Sequence, residues 1–490
     1  MLFNSFQFLF LFLPLTIAGA LWLERRSRTA LVWWLIGASV VFYAAWNPHF
    51  LWILGLSIQV NWSAALGIVR ATGRLRQVLL VLGLVWNLAL LGYFKYTNFL
   101  GATLRDLTGH DPGWAEVVLP IGISFFTFQK IAFLVDAYRG EASLRSFGRF
   151  ALFVLFFPQL IAGPIVHHAE FVPQLDRSRR KRLEDLCLGL VVLSIGLVKK
   201  LYIADTAAIP ASAIFDAAAA GSEPDFATAW FGALAYAAQI YFDFSGYSDM
   251  AVGLARMLGF DLPINFASPY KARSIVEFWR RWHITLSRFL RDYLYIPLGG
   301  NRAGKRRRQI NLMPTMALGG CWPGAGWTFL PWGTLHGIYL LVAHGFSQSL
   351  LGKRASRLPG WPFAMRVLTF VAVVIAWVPF RAADLATTAR IWQGMFALAD
   401  GGLQAFALDG GGYVVPVALA LAIAFLAPNT YELFAAMRLG LATPGYRATA
   451  PRQARLPWRW TPAYAMLTGL AIAAVVLKLN DISAFIYFQF

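Results

Sequence analysis

Between Glu277 and Gly337 the sequence crowds together side chains able to do chemistry: EFWRRWHITLSRFLRDYLYIPLGGNR, a basic run, then GGCWPGAGWTFLPWGTLHG. Two of the seven histidines, His283 and His336, lie in it among arginines and tryptophans. Imidazole exchanges protons near neutral pH, and guanidinium groups hold phosphate or carboxylate. Read as a helix, residues 277–292 put Glu277, Arg280, His283, Ser287, Arg288 and Arg291 within about 140° of one face, with Phe278, Trp279, Trp282 and Phe289 covering the rest. The arginines alone fit a helix lying in a membrane interface. His283 goes further: like charge around it disfavours its proton and leaves a neutral ring able to accept one. His336 sits inside an apolar run, where an ionisable group is a functional candidate, although a lone helical histidine also serves packing; His344, two turns on, is read as that kind.

The elements that must position these groups are membrane spans. The chain has 490 residues, 58% hydrophobic, with mean hydropathy +0.56. That is well above the roughly 45–50% apolar content of soluble domains. Its apolar runs are long and continuous, so helices rather than barrel strands are expected to satisfy the backbone in lipid. The net charge of +19 falls between those runs, where it sets orientation and implies no nucleic acid. Cys187 and Cys321 form neither a disulfide framework nor a metal set, and no spacing fits a metal site.

In order, spans are expected at 2–23, 31–46, 50–69, 77–99 and 117–138. The charges after the first, Arg25, Arg26 and Arg28, give a retained span with its N-terminus outside. FALFVLFFPQLIAGPIVHH at 150–168 is broken by Pro158 and Gly163-Pro164 and flanked by positive charge, including the run from Arg177 to Arg182, which predicts a re-entrant hairpin whose broken backbone is buried in protein or lines a cavity. Spans at 186–203 and 226–255 follow, joined by a small-residue loop; the second carries Asp243 and Asp249 in YFDFSGYSDMA. Buried carboxylates mark a polar tunnel or pair with arginine or backbone groups to hold helices. The basic turn with Arg302, Lys305, Arg306, Arg307 and Arg308 could cradle phosphates or serve as a cytoplasmic anchor. Further spans are expected at 329–350, 365–380, 412–427 and 463–479, with basic loops at 353–357 and 438–459. The fold class is therefore an all-α integral membrane protein of about eleven spans plus re-entrant and interfacial helices, a single polytopic domain over 1–490 with its functional stretch at about 240–345.

The central stretch, YFDFSGYSDMAVGL, FPQLIAGPI, LPIGISFFTFQ, WGTLHG and the terminal IYFQF resemble, in collinear order over nearly the whole chain, the membrane-bound O-acyltransferase family, in its bacterial alginate O-acetylase-like branch. The resemblance implies a bacterial inner-membrane protein with a tunnel, no resident cofactor, and acetyl-CoA as cytoplasmic donor. It also implies a polysaccharide acceptor outside the cytoplasm and periplasmic acetyltransferase partner proteins. The donor would lie against Arg280, Arg281, Ser287, Arg291 and the basic run. One position departs: where similar proteins carry a catalytic histidine after the tryptophan of GGCWPGA, this chain has Pro323. Proline cannot take a proton, and losing a general base costs roughly 10²–10⁴-fold. His336 and His283 are the candidates to supply the base. His336 lies thirteen residues past Pro323, about 20 Å along a straight helix, so it serves only if the chain folds back at Pro323-Gly324. The alternatives are a catalytically impaired scaffold or conduit of a polysaccharide acetylation complex and, from the broken helices and buried carboxylates, a transporter or flippase.

Overall fold

The computed structural model describes residues 1–142, 144, 146–176, 182–300, 304–396, 412–437, 439–440, 457–479 and 483–486, without the Lys305 side chain. Arg145, Arg302, most of the Arg177–Arg182 run and the greater part of the 438–459 loop lie outside the described residues. The same holds for the last four residues of IYFQF.

Among the described residues the regular elements are helices, which include α1 Phe8–Glu24, α2 Arg28–Ala44, α3 Leu51–Arg70, α4 Gly73–Thr108, α5 Ile123–Arg139, α6 Phe147–Leu155, α7 Arg182–Ala219, α8 Phe226–Met257, α9 Ile275–Trp279, α10 Ile284–Leu290, α11 Gly304–Cys321, α12 Phe329–Gln348, α13 Trp361–Arg381, α14 Val414–Leu426 and α15 Pro462–Lys478. Among the described residues, four helices are long and apolar enough to cross a membrane: Pro48–Arg70, Gly73–Thr108, Arg182–Ala219 and Trp361–Arg381. α1, α2, α14 and α15 are apolar but shorter.

Two expectations need correction. The small-residue loop after residue 203 is helix, because α7 runs on through DTAAIPASAIFDAAA and tolerates Pro210 inside it. Alanine is the strongest helix former, and a run of alanines outweighs one missing N–H. The continuous amphipathic helix at 277–292 is likewise absent: it is two short helices, α9 and α10, broken at His283, whose φ of 40° is left-handed. The cause is a neighbouring loop that takes the helix's backbone partners. Ile284 N donates to Asn265 O (2.9 Å), and Ala267 N donates to Arg281 O (2.9 Å). α9 starts where Ser274 Oγ accepts from Glu277 N at 3.1 Å, an N-cap that satisfies an otherwise orphan donor.

The chain resolves into two compact units, one of Met1–Ile195, Ser248–Pro263 and Met466–Ala484, the other of Gly196–Tyr247, Ile264–Ala465 and Phe485–Phe490. In the first, α6 ends at Phe156 and gives way to a four-residue turn, Phe157–Leu160, and an irregular stretch to His167, all buried. Of the two placements expected for the broken backbone of FPQLIAGPI, burial in protein is the one found. The motif LPIGISFF packs on it: Gly122 has φ of 75°, and a Cβ there would meet Leu160 O at 2.9 Å. Asp249 is buried in the same unit.

The second unit carries the central stretch. α11 and α12 form a hairpin that closes to backbone contact, since a Cβ on Gly333 would meet Met316 O at 2.4 Å and one on Gly320 would meet Phe329 O at 2.6 Å. The glycines of LGGCW and WGTLHG therefore set how near α12 stands to α11.

Candidate active site

Four helices of the second unit converge on a groove of about 230 Å³. α9 and the turn after it supply Trp279 and Arg280, α10 supplies Ser287, and Arg291 and Tyr295 follow; α11 supplies Thr315 and α12 Leu340. Three of the four residues singled out for donor binding, Arg280, Ser287 and Arg291, thus line one concavity despite the break between α9 and α10. Arg280 is exposed, with no carboxylate partner among the described residues. Arg291 is held by Asp292, Nε to Oδ1 at 2.6 Å. Arg281 is used otherwise: it donates to Glu277 Oε1 at 2.7 and 3.0 Å and to Ala267 O at 3.0 Å, fixing the turn. An exposed cation and a hydroxyl beside indole and phenol rings suit a phosphate with an apolar or aromatic tail.

His336 stands behind this groove. Its ring is fully buried and lies 5.1 Å from Trp279, which lines the groove, and 5.2 Å from Trp332. It stacks on Phe278 at 6.0 Å and 4°, with Tyr339 at 5.9 Å. Neither ring nitrogen has a hydrogen-bond partner among the described residues.

His283 is held differently. Its Nδ1 lies 3.0 Å from Asn265 Oδ1, with Phe244 of α8 edge-on at 4.8 Å and Trp322 at 5.5 Å. Trp322 immediately precedes Pro323, so the position where a histidine is expected by resemblance has His283 packed against its neighbour. His283 caps a short helix and belongs to no span; burial, not the like charge expected from the sequence, lowers its pKa to about 3. The ring is neutral at physiological pH.

Asp243 follows the pairing alternative, with a lysine where an arginine was expected. Its Oδ1 meets Lys200 Nζ at 2.6 Å, Lys200 also reaches Asp205 at 2.8 Å, and Ile486 N donates to Asp243 Oδ2 at 3.1 Å. Lys200 and Asn265 escaped the sequence reading: an isolated asparagine in LPINF carries no spacing signal, and Lys200 looks like the basic end of a span.

A family model, MBOAT, membrane-bound O-acyltransferase, matches residues 79–379. The chain belongs to the membrane-bound O-acyltransferase family. It is 42% identical over 430 residues to the peptidoglycan O-acetyltransferase of Helicobacter pylori, covering 81% of this chain and 80% of that protein. It is 39% identical to a probable alginate O-acetylase of Pseudomonas putida, with both chains covered completely. Over 45% of its length it is 28% identical to the teichoic acid D-alanyltransferase of Streptococcus thermophilus, of which 56% is covered. The protein is thus a membrane acyltransferase of the branch that includes the alginate O-acetylases, and its helical architecture accords with that family.

Proposed function

We propose that this protein takes an acyl group, acetyl in the leading case, from an acyl-CoA on the cytoplasmic side of a bacterial inner membrane and passes it outward for O-acylation of a polysaccharide. The carrying observation is the groove that joins Arg280, Ser287 and Arg291 to Trp279. Its cation and hydroxyl suit the donor's phosphates, and its rings suit the donor's adenine or pantetheine. The proposed topology has the N-terminus periplasmic, which leaves the arginine-rich turn facing the cytoplasm. Periplasmic acetyltransferase partners would receive the group, as expected for a chain similar to alginate and peptidoglycan O-acetylating proteins.

His283 takes the role of general base in this reading. A base needs a defined tautomer and a partner that orients it, and Asn265 supplies both at 3.0 Å. The base accepts the proton of the attacking hydroxyl, the hydroxyl oxygen bonds to the thioester carbonyl carbon, and the carbon–sulfur bond breaks to release CoA thiolate. His336, caged by rings and without an orienting partner, forms the wall behind Trp279.

Pro323 favours a second reading, a conduit that keeps the fold but has lost acyl transfer. Purified protein in nanodiscs, given acetyl-CoA labelled in the acetyl group together with its periplasmic partner, separates the two. Label transfer well above the partner alone supports the enzyme; transfer no faster than a protein-free membrane supports the conduit.

A further inference from the structure

We propose that Asn265 is a positioning residue that locks His283 in its Nδ1–H tautomer and so makes Nε2 the proton-accepting atom. This rests on the reading of His283 as the base. Which end of the Asn265 amide is oxygen follows from its partners. The same atom lies 3.4 Å from Thr285 N and 3.0 Å from Thr285 Oγ1. A backbone N–H can only donate, so the atom it faces is the acceptor, Oδ1. The third group converging on that oxygen is His283 Nδ1 at 3.0 Å. A neutral imidazole carries one proton, and only a protonated Nδ1 makes this contact favourable. The proton is therefore on Nδ1 and the lone pair on Nε2.

The backbone enforces the same geometry. Asn265 O accepts from Ile284 N at 2.9 Å, the bond that opens the helix and leaves His283 at φ of 40°. A left-handed histidine is uncommon and persists only where its surroundings over-determine it. One residue thus bends the chain at His283 with its carbonyl and fixes the ring with its amide. Asn265, Thr285 and His283 are all buried, so no bulk water competes for these bonds. The ring's contacts include the uncharged side chains of Asn265, Phe244, Phe266 and Trp322.

The test uses the full chain in nanodiscs with ¹⁵N-labelled histidine, the His283 signals being assigned by difference against His283→Gln. Wild type is expected to give a protonated Nδ1 and an imine-type Nε2. Asn265→Ala is expected to lose that preference and to lower kcat for acetyl transfer about 10–100-fold with little change in KM, the usual effect of removing a residue that orients a functional imidazole. Asn265→Asp keeps the acceptor and adds charge. It should restore the Nδ1–H signal and most of kcat at pH 8, and bring into the pH 5–8 window an acid limb that wild type lacks, since a carboxylate favours the protonated ring. An Nε2–H tautomer in wild type, or an unchanged tautomer in Asn265→Ala, overturns the assignment. So do equal losses in the Ala and Asp variants without a new acid limb. If His283→Gln transfers acetyl at the wild-type rate, His283 is not the base, while the nitrogen signals still decide what Asn265 does to the ring.

Discussion

Replacing Asp243 by alanine should cost much more stability than replacing Asp205, although both carboxylates bind the same lysine. Lys200 and Asp243 have side chains only 3% exposed, whereas Asp205 is 22% exposed. Breaking a buried ion pair by removing one partner costs about 3–5 kcal/mol, because the remaining charge keeps its desolvation penalty. Asp243→Ala also strips the acceptor from Ile486 N, worth about 1–3 kcal/mol for a buried donor left unsatisfied. Asp205 still touches Lys200 and recovers part of this, which leaves a net cost of about 4 kcal/mol. Asp205→Ala leaves the buried pair intact and should cost about 1 kcal/mol, because Lys200 keeps its buried partner and the lost carboxylate is itself partly in water. Asp243→Asn retains an acceptor for Ile486 and should fall between them. The double change Lys200→Met with Asp243→Leu removes both charges and should be milder than Asp243→Ala alone. The assay is the thermal midpoint of each variant in nanodiscs, followed by tryptophan fluorescence. Equal shifts for Asp205→Ala and Asp243→Ala, or a double variant worse than Asp243→Ala, would refute this account of the cluster.

Three further outcomes are expected. Arg280→Ala should raise KM for acetyl-CoA roughly 10–100-fold at nearly constant kcat, the effect of losing one charge-assisted hydrogen bond, and the defect should shrink as salt is raised; an unchanged KM would remove Arg280 from the donor groove. Gly333→Ala forces a Cβ to 2.4 Å from Met316 O, a backbone atom that cannot rotate away, and should destabilise by about 3 kcal/mol and impair transfer by prising α12 from α11; wild-type stability would show that the hairpin yields. Pro323→His should change turnover less than tenfold if His283 already serves as base, whereas a gain of roughly 10²–10⁴-fold would support the conduit reading.

Much of this architecture was legible in the sequence because bilayer thickness and backbone satisfaction leave few options for long apolar runs. The hairpin breakers Pro158 and Gly163 marked a buried irregular backbone, and Arg280, Ser287 and Arg291 line one groove although the continuous helix from which their common face was read is broken. The loop expected after residue 203 is helix through local alanine propensity, whereas the other departures come from long-range partners that override local periodicity. From 277 to 292 the helical period is sound, yet Asn265 and Ala267, more than a dozen residues earlier, take the backbone bonds of Ile284 and Arg281 and break the helix at His283. That break removes His283 from the arginine face and buries it beside Trp322. Likewise, nothing local to Asp243 reveals that its partners are Lys200 and a backbone N–H near the far end of the chain.

The proposed function gives the role of base to His283, and not to His336, in place of the histidine that Pro323 replaces. Single-turnover transfer from labelled acetyl-CoA at saturating donor, compared among wild type, His283→Gln and His336→Gln, decides between the two histidines. With His283 as the base, His283→Gln loses roughly 10²–10⁴-fold and His336→Gln less than tenfold; the reverse order, or full activity in His283→Gln, rules His283 out as the base.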